Sequence, residues 1–189
     1  MSSFIRIAGA AAVVLSLGFL VSALPAARAS IPAITGTDAV SVVCAKLAVD
    51  IEAKILALAG CGTIAELTVA VHALVAAIQI CANDLLRVGA GVVVDVEAKA
   101  SIVACLVATI TLLAQVCVQV SVKFGLTVVA ALFAEIDVVV RLLLVNLNIC
   151  VGGIVALIAK ALASVTVGLI AQIHLKLCLG VLGLAGVTL

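Results

Sequence analysis

Residues 95–124, DVEAKASIVACLVATITLLAQVCVQVSVKF, contain the pattern that decides the fold of this chain. Within this apolar stretch, Thr111, Gln115, Gln119 and Lys123 recur every four residues. A spacing of four places side chains on one face of an α-helix, whereas a strand needs a spacing of two. The segment is therefore predicted to be helical, although its many valines and isoleucines would favour a strand by propensity alone.

Four further segments show the same spacing and are separated from one another by glycines. Their polar residues are Lys46, Asp50 and Lys54; His72, Gln79, Asn83 and Arg87; Asp137, Arg141 and Asn148; and Lys160, Ser164, Gly168, Gln172 and Lys176. The breaks are Gly60-Cys61-Gly62, Gly89-Ala90-Gly91, Gly125 and Gly152-Gly153. Thr63 and Glu66 have capping-box spacing, and Asp95 and Glu97 suit a helix start. The predicted fold is all-α, a bundle of about five long amphipathic helices with very wide apolar faces.

One short sequence pattern occurs twice. Residues 50–54 and 95–99 share the form D-[IV]-E-A-K, and each copy is followed by a cysteine, at Cys61 and Cys105. This match raises the hypothesis of an internal duplication.

The composition is far more apolar than that of an ordinary soluble domain. Of 189 residues, 67% are hydrophobic and 10% are charged, and the mean hydropathy is +1.56. A soluble domain is about half apolar and about a quarter charged, and one of this size hides only about 70% of its unfolded surface. The chain therefore needs apolar burial beyond one ordinary core.

Two architectures meet this need. A multi-pass membrane bundle would turn its polar stripes inward, and the charge-free residues 100–122 are long enough to span a bilayer. A secreted compact bundle would turn the stripes to water and complete its burial by self-association or at an interface. Charges that interrupt other apolar runs, such as Asp84, Arg87 and Arg141, and the absence of Trp and Tyr favour the secreted bundle.

The amino terminus has the features of a signal peptide. Arg6 is followed by the uncharged residues 7–23, and Ala27-Arg28-Ala29 fits a cleavage site of the A-x-A form. Residues 1–30 are therefore predicted to be a signal peptide that is cleaved after Ala23 or Ala29, with an uncleaved membrane anchor as the alternative. Residues 31–179 are predicted to form the helical bundle, and residues 180–189 a Gly-rich apolar tail.

The cysteines are the candidate site residues. They are spread along the chain as Cys44, Cys61, Cys81, Cys105, Cys117, Cys150 and Cys178, with no C-x-x-C pair. With only His72 and His174 besides, a metal site is not expected. In an exported chain the cysteines are expected to form disulfide bonds between helices, with one thiol left over and the pairing open. The alternative is that they are small buried hydrophobic side chains.

No residue pattern indicates catalysis, a cofactor or nucleic-acid binding. The acidic pairs Asp95 with Glu97 and Glu135 with Asp137 point to opposite faces of their helices and are predicted to be solvated. A net charge of +1 and the lack of Tyr and Trp exclude the basic and stacking surfaces that nucleic acids require. A non-enzymatic role without a cofactor is expected.

In its export signal, its seven dispersed cysteines from Cys44 to Cys178 and its Ala/Val/Leu/Ile-rich body, the chain resembles small secreted, cysteine-containing, apolar cell-surface proteins of filamentous fungi, which work beside hydrophobins. Hydrophobins themselves have eight cysteines with adjacent pairs, and this sequence has no such pair. The resemblance implies a role at a surface and transfers no residue.

The expected function is that of a secreted, self-associating amphiphile at a cell wall, membrane or air-water interface, with lipid or another apolar phase as its partner. The alternatives are a multi-pass membrane protein for transport or scaffolding, and a secreted lipid carrier or membrane-active protein.

Overall fold

The computed structural model describes residues 31–162 and 164–184, and within these ranges all regular secondary structure is α-helical. The four long helices are α1 (Ala39–Gly60), α2 (Ile64–Val88), α3 (Val96–Phe124) and α4 (Leu126–Cys150). The three short helices are α5 (Ile154–Ala161), α6 (Ser164–Gln172) and α7 (Lys176–Val181). The all-α prediction is confirmed, with four long and three short helices in place of five long ones. The predicted signal peptide, residues 1–30, and residues 185–189 of the predicted tail lie outside the described residues.

The long helices begin and end where the glycines and capping residues predict. Thr63 and Glu66 form a complete capping box at the start of α2. The Asp95 carboxylate caps α3 by accepting from the Ala98 N–H at 2.8 Å. Gly125 separates α3 from α4 and has a φ of 87°. A residue with a side chain would adopt this backbone conformation only with strain. Local sequence therefore sets the boundaries of the four long helices.

The long helices form two antiparallel hairpins, α1–α2 and α3–α4. The hairpins lie side by side, so that α1 is parallel to α3 and α2 is parallel to α4. The Asn146 amide of α4 donates to the Ala82 carbonyl of α2 at 2.8 Å, and the Cys150 thiol donates to the Leu85 carbonyl at 3.1 Å. Both pairs run in the same direction along the two helices, so α2 and α4 are parallel. The order around the bundle is α1, α2, α4, α3.

Parallel packing of α1 with α3 follows from contacts at both ends of these helices. At one end the Thr35 N–H, just before α1, donates to the Ser101 hydroxyl of α3 at 3.0 Å. At the other end the Lys123 ammonium of α3 donates to the Cys61 carbonyl, just after α1. This carbonyl lies at the carboxyl end of a helix, where a cation is favoured.

The predicted fifth long helix is broken into α5, α6 and α7, because these segments fold over the other helices instead of continuing straight. Between α5 and residues Thr166–Gln172 the direction changes by 98°. Helices α5 and α6 pack on α3, whereas α7 packs on α4 and α6. A single straight helix with so wide an apolar face would leave much of that face without a partner. The predicted polar stripe from Lys160 to Lys176 is therefore divided among three helices.

The hydrophobic core is continuous through the long and short helices. Its largest fully buried side chains include Phe133, Ile51, Leu74 and Ile102. At its centre is an apolar cavity of about 20 Å³, lined by residues of all four long helices. The bundle interior is thus close to fully packed.

The repeated D-[IV]-E-A-K pattern occupies two different structural positions. Asp95 is the N-cap of α3, whereas Asp50 lies in the middle of α1. The two copies therefore have no common structural role, and the match does not correspond to the pairing of the two hairpins.

The Asp38 cap of α1 gives the first testable prediction. The Asp38 carboxylate accepts hydrogen bonds from the Ser41 N–H, at 2.9 Å, and from the Ser41 hydroxyl. Partial burial raises the pKa of Asp38, but these hydrogen bonds outweigh it and leave the pKa below its ordinary value of 3.8. The cap therefore stabilises the fold fully above pH 3.8, and this contribution is lost as the pH falls through the lower, folded-state pKa.

We expect Asp38→Ala to lower the free energy of unfolding at pH 7 by about 1 kcal/mol, as measured by denaturant titration followed by circular dichroism. Asp38→Asn is the matched control, because asparagine also caps helices but does not titrate. It should keep most of the stability at pH 7 and reduce the loss of stability in acid. Equal acid sensitivity in the wild type and Asp38→Asn would contradict this role.

Candidate functional site

The outward surfaces of α1 and α2 carry a set of exposed apolar side chains, here called the outer face. On α1 the set is Val42, Val49, Ala53 and Leu56, and on α2 it is Val69, Ala73, Ala76 and Ile80. Steps of three, four and seven residues place each group along one side of its helix. Val49 is 80% exposed, Val69 70% and Ile80 62%. The outer face thus consists of one exposed apolar strip on each of two neighbouring helices.

Helix α2 is unusual in being both very apolar and poorly covered. An 18-residue stretch of α2 has a mean hydropathy of 1.9, yet only 28% of it is buried. The corresponding stretch of α3 has a mean hydropathy of 2.3 and is 56% buried, because α1, α5 and α6 pack on it. Both helices have the length and composition to cross a membrane. Exposed apolar side chains also occur outside these helices, among them Val93, Val96 and Val122, but α2 combines them with the lower coverage of the two spanning-length helices.

Polar side chains form a border to this surface. The stripe residues Lys46 and Asp50 are exposed on α1, and so are His72 and Asn83 on α2. The His72 Nε2 lies 3.4 Å from the Glu135 Oε2 of α4, across the seam between parallel helices. Both side chains are about half exposed, so this pair adds little to stability.

Asp137 departs from the sequence prediction, because it is buried and not solvated. Its carboxylate accepts from the backbone N–H of Leu177 and of Cys178, both at 2.8 Å, at the start of α7. The free N–H groups of a helix start satisfy a buried carboxylate, which would otherwise be very unfavourable in the core. We call this contact the Asp137 clasp. Sequence pattern missed it because Asp137 has the same spacing as the exposed Arg141.

The structure does not support the predicted disulfide cross-links. All seven cysteines are buried and free: Cys44 in α1, Cys61 after α1, Cys81 in α2, Cys105 and Cys117 in α3, Cys150 at the end of α4, and Cys178 in α7. The thiols of Cys44 in α1 and Cys81 in α2 lie near each other, and no disulfide bond joins them. The physical reason is that cysteine packs here as a small apolar residue between helices, at positions where its partners are mainly carbonyls and aliphatic side chains.

Burial also makes these thiols unreactive. The contact with Cys81, together with burial, raises the pKa of Cys44 far above its ordinary value. Burial raises the pKa of Cys117 to about 12, and burial and the nearby Asp137 charge raise that of Cys178 to about 12. Since the thiolate is the reactive species, these groups resist alkylation and oxidation while the fold is closed.

The described residues contain no cluster of three or more His, Cys, Asp or Glu side chains placed to hold a metal ion. His72 pairs with Glu135, and His174 lies exposed between α6 and α7 with a φ of 61°. The central cavity, at about 20 Å³, has room for about one water molecule and is lined mainly by apolar side chains. The outer face is therefore the candidate surface for a partner.

No protein-family model, curated protein or solved structure matches this chain.

A thiol count tests the correction on disulfides. We expect the protein, purified without reductant and unfolded in guanidinium, to release seven reactive thiols to Ellman's reagent. The native protein should react far more slowly, because all seven side chains are buried. Each disulfide bond would remove two thiols from the unfolded count, so a count of five or fewer would restore the cross-linked description.

Proposed function

We propose that this chain is a non-enzymatic, exported amphiphilic protein that self-associates and adsorbs to an apolar interface at a cell wall, a membrane or an air-water surface. The observation that carries the proposal is the outer face, where highly exposed valine and isoleucine side chains lie along two neighbouring helices. Export rests on the signal-peptide features of residues 1–30, and the surface role agrees with the resemblance to fungal cell-surface proteins.

The exposed side chains supply the driving force for adsorption. Transfer of one valine or isoleucine side chain from water to an apolar phase is worth about 1.5–3 kcal/mol. Val49, Val69 and Ile80 together therefore provide several kcal/mol without any change in fold. Large contiguous apolar patches on soluble proteins mark interaction sites.

The same surface promotes association between copies. The net charge of +1 provides little repulsion between molecules. Two copies that meet through their outer faces would hide the same side chains that an interface would hide. Self-association in water and adsorption at an interface are thus competing uses of one surface.

Lysine substitutions on the outer face test the proposal. We expect Val69→Lys with Ile80→Lys to raise the protein concentration needed for a given surface pressure by at least about tenfold, because the loss exceeds about 1.4 kcal/mol. Pendant-drop tensiometry measures this effect. Folding should be retained, since both side chains are exposed.

The matched control is Gln119→Lys with Asn148→Lys, which adds the same charge at exposed polar positions on α3 and α4. This control should behave like the wild type. Equal loss in the two double variants would mean that charge alone, and not the outer face, governs adsorption. If the wild-type protein does not lower the surface tension of water, the proposed function is wrong.

A multi-pass membrane protein is the second candidate, and it is favoured by the spanning length and hydropathy of α2 and α3. Extraction without detergent discriminates between the two functions. An exported amphiphile should be recovered from the medium or cell wall in buffer, whereas a membrane protein should require detergent and show protected loops in sealed vesicles.

A lipid carrier would need space for an acyl chain. The apolar cavity at the centre of the bundle, at about 20 Å³, is too small for one. A lipid would therefore have to bind on the outer surface, where adsorption already accounts for the exposed side chains.

A further inference from the structure

Helices α5–α7, here called the cover, are attached to the bundle differently from the four long helices. The cover begins just after Gly152 and Gly153, and Gly153 has a φ of 77°. A Cβ at either glycine would have no atom within 4 Å, so the space beside these two residues is open. Lys99 of α3 fixes the near side of the turn by donating to the Gly152 carbonyl at 3.3 Å. The cover thus has a defined pivot with an anchored base.

Two polar contacts hold the far part of the cover on the bundle. One is the Asp137 clasp on α7. The other is the pair of hydroxyls Thr111 Oγ1 and Thr166 Oγ1, 3.3 Å apart, which joins α3 to α6. Both contacts can be exchanged for water, so each opposes release only weakly when the groups become solvated.

The remaining attachment is apolar. Buried aliphatic side chains occur in each short helix or beside it, among them Ile154, Ile158, Ile170 and Leu179. In water their exposure is strongly unfavourable, and this keeps the cover closed. At an apolar interface the same side chains enter the apolar phase, so that this opposition to opening disappears.

We propose that the cover is an interface-triggered lid, which swings away from α3 and α4 about Gly152 and Gly153 when the protein adsorbs to an apolar liquid. This inference rests on the proposed function and adds its regulation. The outer face adsorbs first, and release of the cover then exposes a second apolar surface made by α3, α4 and the inner sides of α5–α7.

The long helices are not expected to separate in the same step. Helices α5, α6 and α7 contain 8, 9 and 6 residues, whereas the four long helices contain 22 to 29. The buried Asn146 and Cys150 side chains of α4 also donate to carbonyls of α2. The cover is therefore the part of the bundle with the fewest contacts to lose.

Native thiols report the opening without added labels. Cys178 lies in α7, whereas Cys44 and Cys81 lie between α1 and α2. A water-soluble maleimide is added to the full chain with and without hexadecane droplets, and peptide mass spectrometry measures the alkylation of each cysteine. We expect droplets to increase the labelling rate of Cys178 by at least about tenfold, with Cys44 and Cys81 unchanged.

Each other outcome has a definite meaning. Adsorption without labelling of Cys178 would overturn the lid and leave the proposed function intact. Equal labelling of Cys178, Cys44 and Cys81 would show general unfolding at the surface and would also overturn the lid. Failure to adsorb to the droplets would sink the proposed function itself.

Asp137→Asn weakens the clasp with little change in side-chain shape. Only one oxygen remains to accept, so one of the two N–H groups of α7 loses its partner. We expect Cys178 to label about tenfold faster than in the wild type even without droplets. Glu135→Gln is the matched control, because it removes a carboxylate two residues away that faces His72 and not α7. It should leave the labelling of Cys178 unchanged.

A locked variant keeps the proposal testable if Asp137→Asn unfolds. Thr111→Cys with Thr166→Cys places a thiol on each helix at the point where the two hydroxyls are 3.3 Å apart, and mass spectrometry of the oxidised variant verifies that the disulfide bond has formed. The oxidised variant should still adsorb through the outer face, but Cys178 should stay protected and the limiting surface pressure should fall. Reduction should restore both. Unchanged labelling of Cys178 in the locked variant would overturn the lid.

Discussion

The whole structure depends on one constraint. Each helix has only about one polar residue per turn, and these residues form a narrow stripe along one side. A helix of this kind needs apolar neighbours on most of its circumference. In a simple hairpin, each helix has only one neighbouring helix. When the two hairpins pack with α1 parallel to α3 and α2 parallel to α4, each long helix gains a second neighbour. The cover then adds further neighbours to α3 and α4. The outer sides of α1 and α2 receive none, so the uncovered apolar surface is what the packing of the rest leaves over.

Sequence alone predicts the local features of this fold well. The glycine breaks, the Thr63–Glu66 capping box and the Asp95 cap depend on a few neighbouring residues, and all of them lie where the pattern places them. The four-residue spacing also identifies the four long helices correctly. These features are predictable because their energies are decided within one or two helical turns.

The features that sequence does not predict depend on contacts between distant segments. Asp137 and Arg141 share one stripe by spacing, yet α7 covers the first and leaves the second exposed. The fifth segment is broken into three helices because it packs on α3 and α4. No residue pattern within the segment predicts this packing. The cysteines were expected to pair because export was expected, but their number carries no information about distance. Burial protects Cys178 instead, because it raises the pKa of this thiol to about 12 and so suppresses the reactive thiolate.

The parallel arrangement of the hairpins has a consequence for synthesis. The carbonyl of Ala82 lacks its hydrogen-bond donor until Asn146 is synthesised, 64 residues later in the chain. At about 5–20 residues per second, the α1–α2 hairpin exists for about 3–13 s before α4 is complete. During that interval the inner sides of both helices lack the partners that will bury them. Newly made chains therefore expose apolar helix surface that favours association between them until the second hairpin is complete.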